Sequence, residues 1–259
     1  MKKLSIDAKI KLLRDEVLYF EEIDSTNAYL LNTNNINNGT VALADFQTAG
    51  RGRLSRKWEA PTSDALLFSF VLNKDLNLYS PAAFTFIASV GVLEGLASIY
   101  YGLRLSLKWP NDIIYNGKKI CGILVESKSA GNTLSKVVVG IGININQDEE
   151  FFAWHNFGHA TSLKMITGNS CDRKYLLETV LESLEQNLLF AQNNEIGQVL
   201  EKWKSHCPYI GKHIKLLDNQ KEYLGIFEDM NHDGGIILNI HGNRQTFYAG
   251  DVSIDKDYL

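Results

Sequence analysis

The stretch LRLSLKWPNDIIYNGKKICGILVES, Leu103 to Ser127, decides the fold. Leu103 to Trp109 alternates apolar and polar residues, the period of a half-buried strand. It stops at Pro110, whose ring fixes φ and removes an amide donor. Asn111-Asp112 then turns the chain. Asp112 to Tyr115 and Lys119 to Ser127 are two more strands, joined across Asn116-Gly117, a pair that accepts the positive φ of a tight hairpin. A sheet is built here, with Lys108 near the end of one strand.

Working toward the N-terminus, Ser80-Pro81 caps a long apolar helix that runs to about Tyr101. Ala65 to Leu72 and Thr40 to Gln47 read as strands, Asn32 to Gly39 as turn, and Val17 to Glu22 as a further strand. Asp24-Ser25-Thr26-Asn27 is a run of cap formers that opens a helix through Leu31. Toward the C-terminus, Lys136 to Ile145 is apolar throughout Val137-Val138-Val139 and so is predicted to be central. Helices are expected over Arg173 to Asn193 and Glu195 to His206. After Cys207-Pro208 the pattern changes. His213 to Leu217, Lys221 to Asp229, Gly235 to Ile240 and Arg244 to Ala249 are short strands at the spacing of a small β-barrel. The expected organisation is an α/β domain over 1–206 and a barrel-like module over 207–259.

Composition narrows the function classes. The chain has 259 residues, 45% hydrophobic and 22% charged, the balance of a globular protein. A net charge of −4 excludes a broad basic footprint for DNA or RNA. Cys121, Cys171 and Cys207 form no CxxC pair and are expected as reduced thiols of a cytoplasmic protein. Met1 to Leu13 lacks the apolar core of a signal peptide. No stretch is expected to approach the ~20 apolar residues of a membrane span.

Three segments carry chemistry. In Thr48 to Trp58, Gly50 and Gly52 let backbone approach an anion, and the forked guanidinium groups of Arg51, Arg53 and Arg56 suit carboxylate and phosphate oxygens. This is predicted to be a mobile surface loop; taken alone, it reads equally as a solvated basic loop. It lacks the Lys-Ser/Thr ending of a P-loop. In Lys108-Trp109-Pro110-Asn111-Asp112, a compact ammonium could neutralise charge on a carboxylate attacking an α-phosphate, or be a plain surface lysine. In Gly140-Ile141-Gly142-Ile143-Asn144-Ile145-Asn146, alternate glycines leave room for a ligand against a strand, and Asn144 offers a donor and an acceptor. His155 and His159 lack an acidic third ligand for zinc, so no metal site is expected.

Together these segments resemble the biotin–protein ligase family. The matches are Asp24-Ser25-Thr26-Asn27, Gln47 with Gly50-Arg51-Gly52-Arg53, Arg56-Lys57-Trp58, Lys108 to Asp112, Gly122-Ile123-Leu124-Val125-Glu126 and Gly140 to Asn144, in family order and spacing over about residues 17–146. The resemblance implies an α+β fold, with a mixed central sheet flanked by helices like that of class II synthetases, and a small SH3-like C-terminal barrel. It implies that biotin and ATP, with Mg2+, form biotinyl-5'-AMP, and that biotin then passes to a lysine of a biotin carboxyl carrier domain.

By the same resemblance, Ser25, Thr26, Asn27, Gln47, Arg51, Gly52, Arg53, Lys108, Gly122, Gly140 and Gly142 would hold biotin. Arg53, Arg56, Trp58, Lys108, Asn111 and Asn144 would hold ATP, with Lys108 and Arg53 catalytic. Relatives that act as repressors carry an N-terminal DNA-binding domain. The sixteen or so residues before the first strand are too few for one, so no DNA partner is expected. Leu54-Ser55 stands where repressor-type relatives often have further Arg or Gly. The tail Gly250 to Asp255 lacks a late arginine that some relatives place near the nucleotide, which puts a direct role for it in catalysis in doubt. Monomer and homodimer both stay open. The rivals are a lipoate–protein ligase or octanoyltransferase, whose own signatures are missing, and a non-enzymatic biotin-binding module, which would need no Lys108.

Overall fold

The computed structural model describes residues 1–14, 16–73, 80–131 and 133–254. Its larger sheet has eight strands. From one edge these are β1 (Lys2–Ser5), β2 (Glu16–Ile23), β3 (Val41–Gln47), β4 (Ala65–Leu72), β8 (Thr133–Asn144), β7 (Lys118–Ala130), β6 (Asp112–Tyr115) and β5 (Leu105–Lys108). β2 and β3 are parallel and every other neighbouring pair is antiparallel, so the sheet is mixed. The parallel step is made by α1 (Thr26–Asn32), which crosses between β2 and β3.

All eight residues of β4 are buried, because both faces of the sheet are covered at its middle. One cover is formed by α2 (Pro81–Ile99), α5 (Arg173–Gln192) and α6 (Ile196–Ser205). Ser80 accepts the Ala83 N–H and Pro81 starts α2, as predicted. Gly91 and Gly95 face α5 so closely that a Cβ would lie 2.8 Å from Leu184 Cα and 3.0 Å from Val180 Cα. α2 corrects one expectation. By length and composition it could cross a membrane, but 67% of its apolar window is buried. It is apolar on most sides because it is packed on most sides.

The smaller sheet is antiparallel, in the order β12 (Asn243–Phe247), β11 (Ile236–Ile240), β10 (Lys221–Met230), β9 (His213–Asp218) and β13 (Asp251–Ile254). A bulge between Phe227 and Asp229 bends β10. Ile214, Leu216, Phe227 and Leu238 are fully buried and continuous with the core under the large sheet.

β1, β13 and the short helices α3 (Glu149–Trp154) and α4 (Leu163–Thr167) go beyond the predicted elements. So does the path of the N-terminal segment. Glu178 and Glu182 on α5 accept the N–H groups of Asp7 and Lys9 at 2.9 and 2.7 Å. Glu185, 4% exposed, accepts those of Lys11, Leu12 and Leu13. Three carboxylates thus strap the segment along one helix.

Candidate active site

A cleft of about 970 Å3 opens at the middle of the large sheet and is walled on one side by β9 and β13. Every site residue expected from the sequence lines it: Ser25, Thr26, Asn27, Gln47, Arg51, Gly52, Arg53, Arg56, Trp58, Lys108, Asn111, Gly122, Gly140, Gly142 and Asn144. The arginine loop and Lys108 therefore meet in one place, although about fifty residues separate them in the chain.

At one end, Ser25 caps α1, accepting the Ala28 N–H at 3.3 Å and leaving its own proton free to donate. Thr26 donates its N–H to Gln47 Oε1 at 2.8 Å. Ser69, from the middle of β4, donates to Asn27 Oδ1 at 2.6 Å and lies 2.7 Å from the Thr26 hydroxyl. Ser69 has one proton and gives it to Asn27, and the single Thr26 hydroxyl proton is shared between Ser69 and Gln47 Oε1, 3.1 Å away. The floor is glycine for a steric reason. A Cβ on Gly140 would sit 2.2 Å from Asn27 Oδ1, and one on Gly142 would sit 2.6 Å from the Trp58 indole.

The arginine loop is a surface loop, as expected, with Arg51, Leu54, Arg56 and Lys57 exposed, and it lies along the edge of the cleft. Trp58 N–H donates to Gly50 O at 3.0 Å and Gly52 N–H to Arg56 O at 2.7 Å, pinching the loop at its base and its tip. At the tip Leu54 is 69% exposed with φ +53, a conformation that costs an ordinary side chain strain. The cations have found the partners they lacked in the sequence. Arg51 Nη1 is 2.9 Å from Glu126 Oε1, Arg56 Nη2 is 2.5 Å from Asp251 Oδ2, and Arg53 Nη1 is 3.5 Å from Asn111 Oδ1 and 3.4 Å from Gly250 O. Burial lowers the pKa of Arg53, while Asp251 and Asp112 oppose that shift. Asn111 is itself held by Ile123 O at 2.8 Å.

The tail reaches the cleft without supplying the late arginine that some relatives have. Asp251, Val252 and Ser253 line the cleft, and residues 250 and 251 anchor two arginines. The reason is topological: β13 pairs with β9 and begins beside the loop. Asp255 of the quoted tail lies outside the described residues.

Beyond the glycine floor, the Trp58 ring lies under Lys119 Nζ, 5.5 Å from the centroid, and Lys119 Nζ is 2.6 Å from Asp112 Oδ1. The Trp58 indole N–H is buried with no acceptor among the described residues. Asn144 Oδ1 is occupied by Gln147 Nε2 at 3.0 Å, so of its two predicted functions the donor is the one left over. His155 and His159 line this end with Phe157 between them, and the rings of His155 and Phe157 stack at 5.7 Å. Among the described residues, no group of three or more His, Cys, Asp or Glu side chains could hold a metal ion. Lys108 ends β5 opposite Asp112 and has no hydrogen-bond or ion-pair partner among the described residues.

Ser69 and Lys119, which line the cleft, and Glu126, which bonds two lining residues from outside it, were not singled out from the sequence. Each sits singly in an ordinary strand pattern, and only Glu126 had a signal, as the last residue of the quoted Gly122–Glu126 match.

The family model described as Biotin/lipoate A/B protein ligase family matches residues 19–144, and Biotin protein ligase C terminal domain matches 209–255. The bifunctional ligase/repressor BirA of Bacillus spizizenii is 30% identical over 248 residues, covering 95% of this chain and 76% of that protein. A biotin–[acetyl-CoA-carboxylase] ligase of Paracoccus denitrificans is 28% identical, covering 88% of this chain and 96% of that one. The solved biotin protein ligase of Aquifex aeolicus, in complex with biotin and ATP, superposes with a TM-score of 0.78 at 32% identity. It covers 92% of this chain and 98% of its own. The chain belongs to the biotin protein ligase family.

Proposed function

We propose that this enzyme joins biotin to ATP as biotinyl-5'-AMP and then passes biotin to a lysine of a biotin carboxyl carrier domain. One observation carries the reading. Lys108, an ammonium without a protein partner among the described residues, lines the same cleft as Arg51 and Arg53 and as the hydroxyl- and amide-rich end at Ser25 to Asn27.

In the first step a carboxylate oxygen of biotin attacks the α-phosphorus of ATP. The bond to the β-phosphate oxygen breaks and pyrophosphate leaves. Lys108, placed between the two reactants, balances the charge building on carboxylate and phosphate without having to reorganise. Arg53 and Arg56 would face the phosphates. Ser25, Thr26, Asn27 and Gln47 would bind the ureido ring, over the floor of Gly122, Gly140 and Gly142. Trp58 and Asn144 would meet adenine. Magnesium, implied by the nucleotide, would travel on the triphosphate. In the second step the carrier lysine, as free amine, attacks the acyl carbon. AMP leaves, and the loop keeps water from the anhydride until then.

The separate sheets support a division into a catalytic domain, 1–206, and a C-terminal module, 207–259. Three free cysteines support a reducing, cytoplasmic setting. The test is a mass measurement on a carrier domain after incubation with the enzyme and ATP, with biotin or with lipoate. Addition of biotin alone supports the reading; addition of lipoate alone, or of neither, defeats it.

A further inference from the structure

Glu126 stands on β7, and both of its carboxylate oxygens are in use. Oε2 accepts from Asn27 Nδ2 at 2.9 Å and Oε1 from Arg51 Nη1 at 2.9 Å. It does not line the cleft, but both partners do. Asn27 is fixed on its other sides. Ser69 donates to its Oδ1, its Nδ2 also reaches Leu124 O at 3.2 Å, and the missing side chain of Gly140 is what gives it room. Ser69 in turn bonds Thr26, and Thr26 bonds Gln47. An unbroken chain of hydrogen bonds thus runs through Gln47, Thr26, Ser69, Asn27, Glu126 and Arg51. It joins the polar end of the cleft to the first cation of the arginine loop.

We propose that Glu126 is a positioning residue that couples filling of the Ser25–Asn27 end to the pose of the arginine loop. The inference rests on the biotin-ligase reading above. A ligand that donates or accepts protons at Thr26, Asn27 or Gln47 redistributes the hydroxyl protons of the chain. Asn27, wedged at 4% exposure, can answer only by shifting its amide against Glu126. The other oxygen of that carboxylate holds Arg51, so the shift reaches the base of the loop. Polar members of the chain polarise one another in its buried part, Thr26 to Asn27, and the partly exposed Glu126–Arg51 pair carries the shift on to the loop. Coupling of this kind is reciprocal: biotin steadies the loop, and a steadied loop holds biotin more tightly.

The experiment uses the whole chain with biotin as the probe. Trypsin cleavage within Arg51–Lys57 reports the loop, and calorimetry reports biotin binding. In the wild type, saturating biotin should slow cleavage about fivefold or more, against about twofold or less in Glu126→Gln at its own saturation. Arg51→Met breaks the same link from the half-exposed loop, where the sheet is undisturbed, and should show the same loss of protection. A purely structural Glu126 would lower melting temperature and affinity together without parting binding from protection. If both variants bind biotin and protect the loop as the wild type does, the coupling is wrong. Should Glu126→Gln not fold, Arg51→Met alone decides. A wild type that binds no biotin would instead defeat the proposed function itself.

Discussion

Asn27 occupies the space that a side chain on Gly140 would need: a Cβ there would lie 2.2 Å from Asn27 Oδ1. Gly140→Ala should push the Asn27 amide off Ser69 and Glu126, leaving buried polar groups unpaired. With a typical cost of ~1–3 kcal/mol, biotin affinity should fall about tenfold to a hundredfold. Calorimetry checks this; affinity unchanged within about twofold would place biotin elsewhere in the cleft.

Lys108→Ala should fold normally, because the side chain has no protein partner among the described residues to lose. Removing a preorganised charge donor typically costs ~2.7–4 kcal/mol, so biotin-dependent exchange of pyrophosphate into ATP should drop about a hundredfold to a thousandfold. A near wild-type exchange rate would remove Lys108 from the chemistry.

Arg53 ties the loop to both Asn111 and Gly250 O. Arg53→Gly should let biotinyl-AMP escape and acylate bystander lysines, visible by blotting for biotin on unrelated proteins mixed into the reaction. Labelling confined to the carrier would count against the loop as a lid.

Glu185 is the buried anchor of the N-terminal strap. Glu185→Ala strands the N–H groups of Lys11 to Leu13, of which only the Leu13 bond is fully buried, so at ~1–3 kcal/mol per buried unpaired group it should cost about 1–3 kcal/mol in urea unfolding. A loss of under about 0.5 kcal/mol would show that water replaces the carboxylate.

Asp45 gives the acid limb. Burial works to raise its pKa, but hydrogen bonds from Tyr19 and Arg173 and the charge of Arg173 outweigh this and hold it below the ordinary 3.8. Its contribution is complete above the unfolded pKa and is lost as pH falls through the folded one, so stability should decline below about pH 4. Tyr19, pushed up to about 12 chiefly by the bond to Asp45, works in the other direction. Its contribution is complete below 10 and is lost as pH rises toward 12. Asp45→Asn should flatten both limbs in unfolding titrations; unaltered limbs would clear this cluster.

Much of this was legible along the chain, for identifiable reasons. Val137 to Val139 reads as a central strand because burial on both faces leaves no polar alternation. Ser80-Pro81 and Asn116-Gly117 are read from backbone chemistry that holds in any context. The strap was not legible, since Asp7 and Glu178 meet across 171 residues and neither carries a local signal. Among the site residues, Lys108 and the arginines stand out because unpaired cations beside glycine, or before proline, demand an explanation. Ser69 does not, because one serine in an apolar strand looks like any other until Asn27 is placed beside it.

Gly250 holds Arg53 across 197 residues of chain, and Asp251 holds Arg56 beside it. A fragment cut short of residue 250 could keep its eight-stranded sheet and still leave Arg53 and Arg56 without their anchors. Inactivity of such a fragment would speak of an unlatched gate rather than of a missing catalyst.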